Sequence, residues 1–220
     1  MKHQHFYFKD QHLWLSHERV IFWEDQKALI VSDTHFGKTG HFRKSGIPLP
    51  QHVFLEDLQR LFALIQFYKP EQLIVVGDFF HSNANKEHLL FEKWRNDISQ
   101  LAILLVKGNH DILHKDFYKK INVQLFSDEL LRINSLAFIH DAAHIQKHAD
   151  HSDAYFFTGH LHPGVFIKGK SRQSLTFPCF YFSDEFAVLP AFSKFSGVAI
   201  VDKKKTDTVF AIVNDGLIEV

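Results

Sequence analysis

Five apolar runs in this chain stop abruptly at residues able to bind metal ions. Val31 leads into Asp33 and His35, Val76 into Asp78, Val106 into Asn109 and His110, Ile139 into His140, and Thr158 into His160 and His162. Short apolar runs of this kind read as strands buried on both faces. Ligands of α/β sheets gather beyond the carboxyl ends of the strands. The chain therefore asks for a fold that carries several strand ends to one place.

The remaining pattern is compatible with that demand. Phe6–Phe8, Leu13–Leu15, Val20–Trp23 and Ala28–Val31 read as strands between charged turns. Leu49–Tyr68 reads as a helix, with Val53, Phe54, Leu58, Leu61, Phe62 and Ile65 near helical spacing and Pro70 beyond its end. Strand Leu73–Val76, helix Lys86–Ser99 and strand Leu101–Val106 follow. Beyond Phe117–Ile121 the chain is mostly strands: Val123–Phe126, Leu130–Ile133, Leu136–Ile139, Tyr155–Thr158, Ser174–Phe182, Phe186–Leu189, Gly197–Val201 and Thr208–Val213. Alternating strands and helices followed by strands predict two packed sheets with helices outside, an α/β sandwich. No repeat, linker or composition break divides the chain, so residues 1–220 read as a single domain.

Composition narrows the function. The formal net charge is zero, so nucleic-acid binding is not signalled by charge, although a local basic patch remains compatible. The chain has 17 His, more than a core needs, which makes metal binding worth testing. Cys179 is the only cysteine, which excludes an intramolecular disulfide and fits a reducing compartment. The N-terminus carries no apolar signal core, and no run reaches the about 18 apolar residues of a spanning helix, so the expected location is the cytoplasm, with no membrane partner. The 24 Phe predict an aromatic core, and the Phe-rich stretch 177–195 is expected to pack the second sheet.

Gly37-Lys38-Thr39 resembles the tail of a nucleotide-binding P-loop. That motif needs glycine at position 32, where Ser32 stands, and Asp33 would repel a phosphate inside the cradle. A metal reading accounts for the same residues. Asp33, His35, Asp78, Asn109, His140, His160 and His162 supply carboxylate, imidazole and amide ligands that suit Mn, Fe or Zn, and the absence of a cysteine cluster argues against structural zinc. Seven ligands exceed the need of one ion, whereas two ions sharing a carboxylate, roughly 3.5–4 Å apart, would use them all. A lone His after a strand is more often an ordinary core or surface residue; five strand ends presenting ligands together is not an ordinary coincidence.

The motifs Asp33-x-His35, Gly77-Asp78-x-x-His81, Gly108-Asn109-His110-Asp111 and Gly159-His160-x-His162 resemble the signature of the calcineurin-like metallophosphoesterases, in the usual order. The resemblance implies a four-layer α/β/β/α sandwich with a dinuclear site. Asp33, His35, Asp78 and His162 would hold one ion, and Asp78, Asn109, His140 and His160 the other, with Asp78 bridging. A metal-bridging hydroxide would attack phosphorus, His110 would protonate the leaving oxygen or stabilise its charge, and Asp111 would orient His110. Where the family usually has Gly-His, this chain has Ile139-His140. His144 competes for that role, and His140 is preferred because it directly follows a strand; His148 and His151 read as solvated. His81, where many members have Asp, would orient a ligand or cap a turn.

Segments 33–50, 77–82, 159–163 and 189–197 further resemble the bacterial ligase-associated DNA-damage-response endonucleases. This narrower resemblance implies manganese-dependent cleavage of DNA, single-stranded DNA included, and functional association with a DNA ligase, a helicase and an exonuclease. The alternative is a small nucleotide or other small phosphoester as substrate, which the neutral net charge favours. A non-catalytic scaffold of the same fold is disfavoured, because scaffolds tend to lose ligands or the His-Asp pair, both retained here. Lys38 and Arg43, with Lys44, are candidate phosphate contacts, or ordinary charges of a solvated loop. Lys168, Lys170 and Arg172 read as a plain basic loop, and Lys203-Lys204-Lys205 as a hairpin turn.

Overall fold

The computed structural model describes residues 2–38, 52–81, 86–127, 130–151, 153–168 and 174–220. Strands β1 (His3–Phe8), β2 (Gln11–Ser16), β3 (Val20–Trp23) and β4 (Ala28–Val31) form an antiparallel run. The β1–β2 turn is Lys9-Asp10, both with positive φ, the geometry that matches the twist of a two-residue hairpin. From β4 the sheet becomes parallel. Helix α1 (His52–Tyr68) leads to β5 (Gln72–Val76), α2 (Lys86–Asp97) to β6 (Ala102–Val106), and α3 (Lys115–Lys120) to β7 (Val123–Phe126). The strands lie in sequence order from β1 to β7.

The central strands are apolar, save for Gln72 at the start of β5, because both faces are covered. Leu29, Val31, Leu73, Val75, Ile103 and Leu105 point toward the helices. Their neighbours Ala28, Ile30, Ile74, Val76 and Val106 point toward the second sheet.

That second sheet contains β8 (Leu131–Ile133), β9 (Leu136–Phe138), β10 (Tyr155–Thr158), β11 (Pro163–Lys168), β12 (Ser174–Phe182), β13 (Phe186–Val188), β14 (Ala199–Ile200), β15 (Thr208–Val213) and β16 (Gly216–Glu219). The long β12 pairs through its first half with β11 and through its second half with β13 and β15. Phe138, Phe157, Phe180, Phe182 and Phe210 fill the space between the sheets against Leu13, Leu15, Ile21 and Trp23. The expected aromatic core lies partly here and partly on the helix side of the first sheet, where Phe36, Phe54, Phe79, Phe80, Phe91 and Phe192 are buried; Phe192 thus leaves the second sheet that the stretch 177–195 was expected to pack. The outer face of the second sheet is covered by a 3-10 stretch, Ala142–His151, through Ile145. Helices, two mixed sheets and this stretch make the α/β/β/α sandwich.

Several local expectations are corrected. The helix read to Ser99 ends at Asp97, and the helix read from Leu49 is described from His52. Strands β11 and β16 escape a sequence reading because Pro163-Gly164 and Gly216 open them, residues that disfavour strands in general but are tolerated at a strand's first position. The stretch around His148 and His151 is not simply solvated: it packs through Ile145, and His151 Nδ1 lies 3.3 Å from Arg132. Lys203–Lys205 are not a hairpin turn, since β14 pairs with β11 and β15 with β12 and β16. Lys170 and Arg172 lie outside the described residues.

Candidate metal centre

Parallel pairing sets the carboxyl ends of β4, β5 and β6 on one edge, and those of β9, β10 and β13 on one edge of the facing sheet. Backbone hydrogen bonds then stitch the loops together. Asp33 N–H donates to Gly77 O at 3.1 Å, His35 N–H to Asp78 O at 2.9 Å, and Gly159 N–H to His140 O at 2.9 Å. Asp33, His35, Asp78, His160 and His162 all have φ between 48 and 65°. This left-handed region costs a non-glycine residue about 1 kcal/mol or more, and it persists only where the surroundings impose it. Here the inter-loop bonds impose it and aim the side chains inward.

Each carboxylate has one oxygen tied and one presented. Asp33 Oδ2 accepts from Ser32 Oγ–H and from His160 N–H at 3.2 Å. Asp33 Oδ1 is buried, accepts no hydrogen bond, and faces His162 Nε2 at 3.2 Å. Nε2 of His162 is in turn 3.4 Å from Nε2 of His35. Asp78 Oδ1 accepts from His110 N–H at 2.8 Å, while Oδ2 faces His140 Nε2 at 3.5 Å. His140 Nδ1 lies 3.1 Å from Val76 O, and a proton donated there leaves Nε2 facing Asn109 Oδ1 at 3.1 Å as well as Asp78. Lone pairs do not converge in this way without a cation between them, either a proton or a metal ion.

The electrostatics carry the same message. Burial pushes His35 down to about 3, despite the Asp33 charge, so its imidazole is neutral and can act as a ligand. Burial pushes His140 down too, but its hydrogen bond to Asp78 and the charges of Asp33 and Asp78 outweigh burial and raise it. Burial likewise opposes the Asp78 charge, and His140 with the His110 N–H outweighs it, so Asp78 is held below the usual carboxylate range.

Two groups of atoms able to hold an ion result, each within 4.8 Å: Asp33, His35 and His162, and Asp33, Asp78 and His140. Asp33, expected to serve one ion, belongs to both groups; Asp78, expected to bridge, belongs to the second. Asn109 touches the second group, and His160 stands at the rim, its ring edge-on to His140 at 5.2 Å. His144 joins neither group. Two glycines make room. A Cβ on Gly77 would lie 2.0 Å from the His140 ring, and one on Gly108 would lie 2.2 Å from Asp78 Oδ1.

His110 lies half-exposed at the edge, its Nε2 4.0 Å from Asp78 Oδ2 and its ring 4.4 Å from that of His81. His81 also meets His35 edge-on, so it packs against two histidines of the site. No hydrogen bond joins Asp111 to the His110 ring, contrary to expectation. The Asp111 carboxylate instead accepts the N–H of Phe80 and of Gly108, both at 2.9 Å, and so ties two loops of the site together. Complete burial pushes this carboxyl up to about 7, against those two bonds. Lys38 is half-buried; burial lowers its pKa while the charges of Asp33 and Asp78 oppose the shift, which puts its ammonium within electrostatic reach of both carboxylates. Arg43 lies outside the described residues. Sequence reasoning missed Ser32, noticed only as a non-glycine, and the carbonyl of Val76, which no side chain signals.

Carboxylates, imidazoles and an amide oxygen gather at the strand ends of two facing sheets, a donor set that suits divalent metal ions. The chain belongs to the calcineurin-like phosphoesterase family, whose pattern matches residues 26–210. It is thus a metal-dependent phosphoester hydrolase. Members of the family typically bind two divalent metal ions, and the two Asp/His groups could hold metal. The nuclease MPE of Pseudomonas putida has 25% identical residues over 100% of both chains, with a TM-score of 0.80. The phosphoesterase Yfce of E. coli is more distant: 12% identity over 88% of this chain and 97% of that one, with a TM-score of 0.45. No curated protein matches the sequence. Among the described residues, no helix is long and apolar enough to cross a membrane.

Proposed function

We propose that residues 1–220 form one phosphoesterase domain that cleaves DNA as a dinuclear phosphodiesterase. The observation that carries this reading is the pair of convergent ligand groups, in a chain similar over its whole length to a nuclease. Asp33, His35 and His162 would hold one ion, and Asp78, Asn109, His140 and His160 the other, with Asp33 also within reach of the second group. Two divalent ions, Mn2+ in the first instance and Fe or Zn as substitutes, supply Lewis acidity and a water acidic enough to act as nucleophile near neutral pH.

The chain's own residues do the rest. His110, at the open edge, gives a proton to the leaving oxygen or offsets its charge. Asp111 serves this step through the backbone, by holding the loop that carries Asn109 and His110. Lys38 contacts a phosphate, and Arg43 is a second such contact. A role in DNA repair beside a ligase, a helicase and an exonuclease rests on the subfamily resemblance, and a cytoplasmic location on the single cysteine and the lack of an apolar signal core.

The formal net charge of zero favours a second reading, a small phosphoester as substrate. Turnover of single-stranded DNA, bis(4-nitrophenyl) phosphate and 4-nitrophenyl phosphate by Mn-loaded protein separates the two. Cleavage of DNA that is lost in Asp78→Ala supports the nuclease reading. Turnover of the small esters alone supports the second, and no turnover of any of them, or equal turnover by Asp78→Ala, rejects both.

A further inference from the structure

Beside the second ligand group a groove of about 600 Å³ opens, with Asn109, His140 and His160 at one end. That volume suits a ligand of nucleotide size. Phe126 and Leu130 give it an apolar wall. Lys107 and Lys147 line it too, with His144 and His148, and Asp141 is the one acid among the described lining residues. The Asp141 carboxylate is already engaged, accepting the Ala143 N–H at 2.9 Å. Lys107 and Lys147 are exposed, and neither makes an ion pair among the described residues. The Lys107 backbone is held by a 3.0 Å bond from its N–H to Phe126 O, which keeps cation and apolar wall adjacent.

Among the described lining residues two lysines face a single, already engaged acid beside the candidate metal ligands, an arrangement that calls for an anionic partner. The apolar wall calls for something flat and unpolar beside the anion. A phosphomonoester or a small diester leaves the groove unused. A duplex cannot fill it either, because its bases are stacked and paired, whereas a single strand can offer a splayed base.

We propose that the groove binds the nucleotide adjoining the scissile phosphate of a single-stranded polynucleotide. Lys107 and Lys147 take its phosphate, and Phe126 and Leu130 take its base. This rests on the nuclease reading above and adds the groove and the residues that would receive a nucleotide of a single strand. Lys38, next to the first ligand group, marks the other side of the metal cluster, so a strand crossing the cluster meets cations on both sides.

The test compares Mn-loaded wild type with the double variant Lys107→Ala/Lys147→Ala on a single-stranded oligonucleotide and on bis(4-nitrophenyl) phosphate, over about 50–200 mM salt. Thermal unfolding checks that the variant is folded. The ratio of oligonucleotide to small-diester kcat/KM is expected to fall about tenfold or more, and the salt dependence on the oligonucleotide to become shallower by about 0.7 per lysine. The double variant Lys107→Arg/Lys147→Arg is expected to recover most of the ratio. If wild type cuts DNA and the Ala variant keeps both ratio and slope, the groove assignment is overturned and the nuclease reading stands. If wild type turns over the small diester but no DNA, the nuclease reading falls and takes the groove assignment with it.

Discussion

The backbone N–H of Phe192 donates to the carbonyl of Ser32 at 2.8 Å, and this bond ties a distant strip of chain to the loop that carries Asp33. The next residue repeats the bond, Ser193 N–H to Asp33 O at 3.3 Å. The strip is itself clamped. Arg19 donates to the carbonyls of Ala191 and Ser193, and Arg60 donates to that of Phe192, with its guanidinium 3.9 Å from the Phe192 ring centroid. Segment 189–197, singled out in the sequence only by resemblance, is a brace beneath Asp33, the first of the candidate metal ligands.

Arg60→Ala should therefore loosen the first ligand group from a distance. The change leaves Asp57, paired with Arg60 at 3.0 Å, without that counter-ion in a site whose burial already raises its pKa. Breaking a buried pair from one side costs about 3–5 kcal/mol. The expected outcome is a lower melting temperature and weaker Mn2+ binding by titration calorimetry. A variant with wild-type metal affinity would show that the brace does not reach the site.

Gly108→Ala should act at shorter range. Its Cβ would meet Asp78 Oδ1 at 2.2 Å, so either the loop or the carboxylate must shift. Overpacking of this kind costs about 1–3 kcal/mol. Because the displaced atom belongs to a ligand, metal content should fall further than stability does, as read by elemental analysis beside a melting curve. Full metal occupancy with full activity would contradict the close packing described here.

His140→Ala should remove one ion and spare the other. Asp33, His35 and His162 form a group without it. Elemental analysis should give close to one metal per chain instead of two. Activity should fall by more than the about 10–100-fold that changes outside the ligand set cost. His144→Ala, by contrast, should retain both ions. The reverse pattern would make His144 the ligand.

Alkali should destabilise the fold through its buried thiol and phenols. Burial pushes the Cys179 thiol up to about 12, and it raises Tyr118 and Tyr155; Tyr181 is raised by burial and by its bond to Asp207. In the unfolded chain these groups ionise first, from ordinary values of 9.0 for cysteine and 10.0 for tyrosine. The folded state therefore holds more protons above that range. Its stability is fully present below about pH 9 and is lost as pH rises toward the folded values. Urea midpoints should stay level up to about pH 9 and fall steadily toward about pH 11, and Cys179 should resist thiol reagents at about pH 8 until urea is added. A flat midpoint across that range would refute the assignment.

Much of the site is legible in the order of residues. Val31, Val76, Val106 and Thr158 each end a strand, as expected, and the ligands follow within a few positions. Local chemistry explains this: a strand buried on both faces must be apolar, and polar residues at its end stand out. The same logic chose His140 over His144, and the geometry brings His140 to Asp78 and Asn109. It failed where a residue acts through the backbone. The family resemblance made Asp111 a partner for His110, whereas it binds two peptide N–H groups, which no residue type announces.

By itself, the sequence determined which strands are buried, where they stop, and which ligand types stand at their ends, because burial and hydrogen-bonding chemistry are properties of each short stretch. Only the tertiary structure decided which carboxylate the two ligand groups share, that a strip near residue 192 braces Asp33, and that a basic groove opens beside His140. Those depend on backbone groups and on the spacing of two sheets, and neither is written in any local run of side chains.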